Sequence, residues 1–395
     1  MAPPRTLLIA GAGIGGLAAA LAAARAGFRV VLLERAARLE AVGAGVQLAA
    51  NATRCLKVLG ALDHLARSAV RPDAFHILDG TGGRALAQTP LGAAAERRFG
   101  APFLVAHRSD LQIALLTAAH ATGGIALKLG RTVEDFTADE DGVTVLASHN
   151  GAVEEYRAAA LIGADGIRSL VRDRLALAPA PPVFRERAAW RAMVPMELMP
   201  QALAGPTVRL WLGPDAHLVS YPVRAGSAVN LVAVTQDGRA FHGWGSGAAP
   251  DEIAARFNRW CPDARALIGL PERWIRWALF DIDPLKRWGR GRVTLLGDAA
   301  HAMLPFLAQG AAQALEDATV LGTVLAAAGE DLEPALRLYE ARRMARTAKV
   351  QRAARGADTV YHLSGAGRLA RNTVLRARSG EAAMERYGWI YRWAP

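Results

Sequence analysis

RTLLIAGAGIGGLAAALAAARAGFRVVLLE, residues 5–34, decides the fold. Residues 5–10 read as a buried strand, 17–26 as an alanine-rich helix and 29–34 as a second strand, with GAGIGG at 11–16 between them. A strand, GxGxxG, helix and strand, closing on an acid about twenty residues after the glycines, is the pattern of a dinucleotide-binding unit. Gly11 permits the tight turn, Gly13 lets backbone approach a pyrophosphate, and Gly16 lets the helix pack close on the strand. The helix N-terminus offers free N–H groups and positive potential to phosphate. Glu34 is placed to accept hydrogen bonds from ribose hydroxyls, and Arg35 is its neighbouring candidate contact. Taken alone, the unit leaves NAD and FAD both open.

Two more strand ends carry chemistry. In VTLLGDAAHAMLPFLAQGAAQALED, residues 293–317, the apolar run 293–296 reads as a buried strand ending in Gly297-Asp298. A loop with Pro305 and Gly310 follows, then a helix through 311–317. Asp298 therefore stands at the carboxyl edge of a sheet, where open α/β folds bind ligands. In LIGADGIRSLVR, 161–172, a strand runs into Asp165-Gly166 ahead of a helix, with Arg168 and Arg172 near enough to meet phosphate. Three such signals fit one long ligand laid across a sheet. GWGSG at 243–247 lacks strand and helix flanks, so no second nucleotide has a domain of its own.

The 293–317 stretch resembles the second flavin-contacting motif of the single-component FAD-dependent aromatic hydroxylases, the salicylate hydroxylase and 3-hydroxybenzoate 6-hydroxylase type. That motif usually reads GDAAHPxxPxxxQG; Ala302 and Phe306 depart from the usual proline and from the usual His or Tyr. The resemblance implies an α/β architecture like that of p-hydroxybenzoate hydroxylase: a Rossmann-like FAD-binding domain interleaved with an antiparallel-sheet substrate domain, plus C-terminal helices. By position, Gly297 and Asp298 would meet the ribityl chain, Pro305 would line the space beside the isoalloxazine, and Gly310 would open the helix below the ring. Arg108, ahead of a helix with Ser109 as its expected cap, resembles the arginine that contacts the ribityl–phosphate part. Asp165 resembles the aspartate that serves FAD and the transit of nicotinamide. Gln47 falls near the isoalloxazine, in a turn, strand and helix over 43–60 with Asn51 as the expected cap. Relatives place a His and a Tyr at the spacing of His217 and Tyr221 in HLVSY, four apart and so on one face of a strand. With Pro305, these two are the catalytic candidates, orienting or deprotonating a phenol. His301 resembles a structural histidine. The implied cycle uses NADH or NADPH and O2 to hydroxylate a small aromatic, a phenolic or heteroaromatic carboxylate, through a flavin C4a-hydroperoxide.

The rest of the chain bounds these readings. Its 395 residues, 52% hydrophobic, allow a sizeable core and more than one domain. The FAD-binding domain is expected over 1–72, 100–176 and 289–330, the substrate domain over 73–99 and 177–288, and a helical segment over 331–395. FHILDGTGGRALAQ within 73–99 suggests a hairpin, 125–160 holds alternating strands, and LAPAPPV at 177–183 is a proline-rich connection. Residues 183–288 hold seven of the nine tryptophans, which read mostly as sheet core. Cys55 and Cys261 form neither a disulfide framework nor a metal cluster. No metal is expected, and a cytoplasmic monomer or homodimer fits. No apolar run is long enough to span a membrane, and the glycine pattern argues against a signal peptide. Net charge is +11, almost all of it arginine, dense over 336–380 and read as a solvated helical face rather than a nucleic-acid surface. Two other classes stay open: a flavin monooxygenase for a larger non-benzoate ligand of polyketide or antibiotic type, and a flavin-binding module without turnover.

Overall fold

The computed structural model describes residues 5–39, 44–176, 181–238 and 246–395. Gly43 of the expected glycine turn, residues 177–180 of the proline-rich connection and residues 243–245 of GWGSG lie outside them.

The Thr6–Ala10 strand is the centre of a five-stranded parallel sheet. Arg29–Glu34 pairs on one side of it and Ala160–Gly163 on the other. Val293–Leu295 extends the sheet beyond Ala160–Gly163. Ile125–Leu129, expected among the alternating strands, instead joins the opposite edge in parallel. Helices cover both faces, so the strands read as unbroken apolar runs, and Leu7, Leu8 and Ile9 are wholly buried. The register sets Ala10 beside Gly163 and Leu33, and Gly163 beside Leu295. All of these strands point the same way, so the three signal motifs emerge side by side at one edge. The Ile14–Arg25 and Gly310–Ala326 helices cross through small residues: a Cβ on Gly322 would lie 2.9 Å from that of Ala22.

A second sheet has eight strands, in the order Ser246–Ala248, Trp274–Asp281, Val183–Pro195, Ala228–Gln236, Ala216–Val223, Thr207–Gly213, Ala74–Asp79 and Ala85–Pro90. The last two are the hairpin expected within 73–99. The sheet is not wholly antiparallel as expected, because Ala74–Asp79 runs parallel to Thr207–Gly213. No tight hairpin joins these two strands, so nothing forces them to be antiparallel. Trp190, Trp211 and Trp274 are buried in the core of this sheet, and Trp190 Nε1 donates to Thr235 Oγ1 at 3.0 Å. A separate three-stranded sheet spans Thr132–Ala158.

Two expected caps are corrected. His107, not Ser109, caps the Arg108–Thr122 helix, its ring accepting from the Ser109 N–H. Asn51 lies inside the Ala50–Val58 helix, wholly buried, and donates to Gln309 Oε1 and Glu316 Oε1. The arginine-rich C-terminal stretch is corrected as well. Arg343 on the Glu333–Tyr361 helix is completely buried between Glu316 and Asp317, at 2.6 and 2.7 Å. Arg346 pairs with Glu316, Arg355 with Asp281 and Asp283, and Arg368 with Asp79. Much of this charge is internal structure and not a solvated face.

Candidate active site

The glycine loop has the close backbone packing expected of a dinucleotide-binding turn. Gly11 has φ +96°, and a Cβ there would lie 2.5 Å from the Ala164 carbonyl oxygen. A Cβ on Gly16 would lie 1.8 Å from the Gly11 oxygen, so the helix can pack here only without a side chain. A Cβ on Gly13 would meet no described residue within 4 Å, at the position expected to face the pyrophosphate. No side chain among the described residues caps the N-terminus of the Ile14–Arg25 helix, which leaves its first amides open. Glu34, at the end of the next strand, accepts from the amides of Ala12 and Ala36 at 2.7 and 2.9 Å. Its fixed carboxylate keeps further lone pairs free to accept. Arg35 is exposed beside it.

Arg108 is exposed at the start of its helix, its own N–H bonded to the Ala44 carbonyl. Gln112, one turn on and unflagged by the motifs, donates to the Ala12 carbonyl at 3.1 Å and ties this helix to the glycine loop. Only its i,i+4 spacing from Arg108 could have drawn attention to it. The Asp165 carboxylate turns back on its own loop, accepting from Ser169 Oγ at 2.5 Å and the Val171 N–H at 3.1 Å. Burial raises its pKa. Its backbone flanks Gly11. The expectation that Arg172 meets phosphate is corrected. That guanidinium is buried and donates to the carbonyls of Ile167 and Ala299, which joins the Asp165 loop to the Gly297–Asp298 turn.

At the other end of the edge, Gly297 turns with φ +64°, and Asp298 is exposed with no side-chain hydrogen bond among the described residues. A Cβ on Gly310 would stand 4.0 Å from its carboxylate. Beneath the turn, Asp317 accepts from the Gly297 N–H at 3.0 Å and lies 2.6 Å from His301 Nε2. Pro305 is exposed and opens a single 3-10 turn, Pro305–Leu307, closed by Ala308 in the left-handed region.

The eight-stranded sheet delivers His217 to this loop and Tyr221 to the strand that carries Gln47. Both are buried on the Ala216–Val223 strand. The His217 ring stands edge-on to Phe306, 5.3 Å between centroids, directly beside Pro305. Tyr221 packs on Gly45, where a Cβ would lie 2.4 Å from its ring. Gly45 begins the short Gly45–Leu48 strand that carries half-buried Gln47. Burial raises the Tyr221 pKa, with Arg191 opposing. Burial, His362 and Arg187 set that of His217 well below the ordinary histidine value. Arg191 was not singled out by motif. It is half-buried, lies over Trp277 at 5.3 Å, and its Nε has no hydrogen-bond partner among the described residues.

A family model described as the FAD binding domain matches residues 5–354. The chain belongs to the FAD-dependent aromatic hydroxylases. It is 39% identical over 388 residues to the 3-hydroxybenzoate 6-hydroxylase of Polaromonas naphthalenivorans, covering 98% of this chain and 96% of that one. A 3-amino-4-hydroxybenzoate 2-monooxygenase of Streptomyces platensis is 39% identical over 391 residues, with 98% and 96% covered. The crystal structure of Klebsiella pneumoniae HpxO complexed with FAD and uric acid superposes with a TM-score of 0.86 at 26% identity, covering 97% and 95%. FAD is accordingly the cofactor of this monooxygenase, with NAD(P)H its co-substrate, and the open glycine loop and unpartnered Asp298 fit it at opposite ends. No helix among the described residues is long and apolar enough to cross a membrane.

Proposed function

We propose that this hydroxylase acts on a small phenolic carboxylate, in a site bounded by Pro305, Gln47, His217 and Tyr221. The observation that carries the reading is the contact between His217 and the Pro305–Leu307 turn, which puts an imidazole beside the space assigned to the flavin ring. Bound FAD, reduced by NAD(P)H, supplies oxygen activation. The chain's part is to hold, orient and ionise the substrate. Gly11, Gly13, Gly16, Glu34, Arg35 and Arg108 hold the nucleotide end; Asp165, Gly297, Asp298 and Gly310 hold the ribityl–flavin end. His217 Nε2 takes the phenol proton, enriching the ring for attack. Tyr221 donates its hydrogen bond to the bound ligand, since its raised pKa keeps it protonated. Arg191 supplies the counter-charge for the carboxylate: a guanidinium away from bulk water favours an anion. The buried walls around His217 exclude water. The division into a discontinuous FAD-binding unit, a substrate unit and a C-terminal helical segment, in a cytoplasmic monomer or homodimer, belongs to the same reading.

The test is ligand-dependent NADH consumption with 3-hydroxybenzoate, 3-amino-4-hydroxybenzoate and 6-hydroxynicotinate, with product mass measured. The expected product is one oxygen atom heavier than its substrate. NADH consumption that none of the three stimulates would overturn the proposal.

A further inference from the structure

His217 is the inner end of a chain of ionisable groups that reaches the surface. Its Nδ1 lies 2.8 Å from Nε2 of His362, a buried residue that follows the Glu333–Tyr361 helix. His362 Nδ1 lies 2.9 Å from Oδ1 of Asp358, one helical turn earlier, oblique to a straight hydrogen bond. The Asp358 side chain is 23% exposed and is paired with Arg187 at 2.9 Å. His217 Nε2 has no hydrogen-bond partner among the described residues.

We propose that His362 and Asp358 link the site histidine to bulk water as a proton relay; this rests on the hydroxylase reading above and deepens it. The phenol O–H bond breaks as its proton bonds to His217 Nε2. The proton on His217 Nδ1 passes to His362 Nε2, and the proton on His362 Nδ1 passes to the Asp358 carboxylate and then to water. One phenolate is left in the site, one proton reaches solvent, and each histidine changes tautomer. A proton returned along the same path to the product phenolate restores both rings.

Without an outlet, His217 is a poor base. It is enclosed by Phe306, Tyr361 and His362. The charged groups facing the two rings are Asp358 on the helix and Arg187 on the Val183–Pro195 strand, two along the sheet from that of His217. Burial disfavours an imidazolium at either ring. Handing a proton on as one arrives avoids that charge. Burial pushes the Asp358 pKa up, but His362 and Arg187 outweigh it and hold the carboxylate below its ordinary value, so the chain ends on an anion. His362 and Asp358 are thus positioning and relay residues, and neither touches substrate.

The test uses FAD-loaded enzyme with 3-hydroxybenzoate as the probe. Stopped-flow absorbance follows formation of the bound phenolate across pH in wild type, Asp358→Asn and His362→Gln, with flavin content and ligand affinity measured alongside. The expected result is phenolate formation slowed roughly tenfold or more in both variants, with affinity and flavin retained, and partial rescue by added imidazole or formate buffer. Wild-type rates and pH profile in Asp358→Asn would overturn the relay. Asp358 is at the partly exposed end, so this arm stands even where His362→Gln folds poorly. The phenolate signal precedes hydroxylation. A wild type that forms phenolate but no oxygenated product therefore refutes the function proposed above and leaves the relay to be judged separately.

Discussion

The carboxylate of Asp317 lies 2.6 Å from Nε2 of His301, and both residues are buried. The same oxygen accepts from the Gly297 N–H, so a helix residue clamps the turn that presents Asp298. Burial pushes the Asp317 pKa up, but His301 and Arg343 outweigh it and hold the carboxylate below the ordinary aspartate value. Asp317→Asn removes one member of a buried ionic network and leaves Arg343 partly uncompensated. The expected loss is about 3 kcal/mol of stability. Thermal melts and FAD titration should show a lower Tm and weaker flavin binding together. Since a depressed carboxylate pKa stabilises the fold above its unfolded value and loses that effect as pH falls through the folded one, wild type and variant should converge in strong acid.

Two glycines of one motif should fail in different ways. Gly16→Ala drives a methyl into the Gly11 carbonyl at 1.8 Å and should destabilise the apoprotein by several kcal/mol, on the order of an overpacked core site. Gly13→Ala meets no atom of the described residues within 4 Å, so the apoprotein melt should be unchanged while FAD affinity falls. A normal affinity in Gly13→Ala, measured by flavin fluorescence quenching, would remove the pyrophosphate from that position.

These cases show which parts of the structure the chain displays locally. The glycine loop, the Asp165 turn and the Asp298 turn each lie within a short window, because a strand, its turn and its helix are neighbours in sequence. Parallel register then brings them to one edge without further information. His217 and Tyr221 followed from strand alternation and the resemblance. The missed features are long-range. His362 is 145 residues from His217. The parallel pairing of Ala74–Asp79 with Thr207–Gly213 depends on an excursion returning to a distant strand. Arg343 looked solvated because its neighbours on the helix are basic; its carboxylate partners lie 26 and 27 residues earlier. Helical periodicity marks a face but not what covers it.

Acid should weaken the protein through its buried imidazoles before it titrates the clamp at Asp317. Burial lowers the pKa of both His217 and His362. The unfolded chain then binds more protons than the native one below the ordinary histidine value, and stability falls as pH drops through about 6.5. Melts between roughly pH 7 and pH 5 should show this slope. His362→Gln should flatten it while lowering stability at neutral pH. An unchanged slope in the variant would mean that His362 is not held neutral.

On the function proposed above, a change at Arg191 should separate recognition of the carboxylate from the chemistry at the phenol. Burial lowers its pKa, with Tyr221 opposing, and its Nε, over the Trp277 ring, has no partner among the described residues. Arg191→Met keeps most of the side-chain length and removes the charge. For 3-hydroxybenzoate, KM should rise roughly ten- to hundredfold, the range of a charge-assisted hydrogen bond of about 1.5–3 kcal/mol. For 3-hydroxybenzyl alcohol, which keeps the phenol and lacks the carboxylate, KM should barely change. Because only the carboxylate ligand meets the lost charge, the ratio of the two effects isolates that interaction from general damage to the site. Equal losses for both ligands, with a weaker flavin spectrum, would instead place the guanidinium against the cofactor.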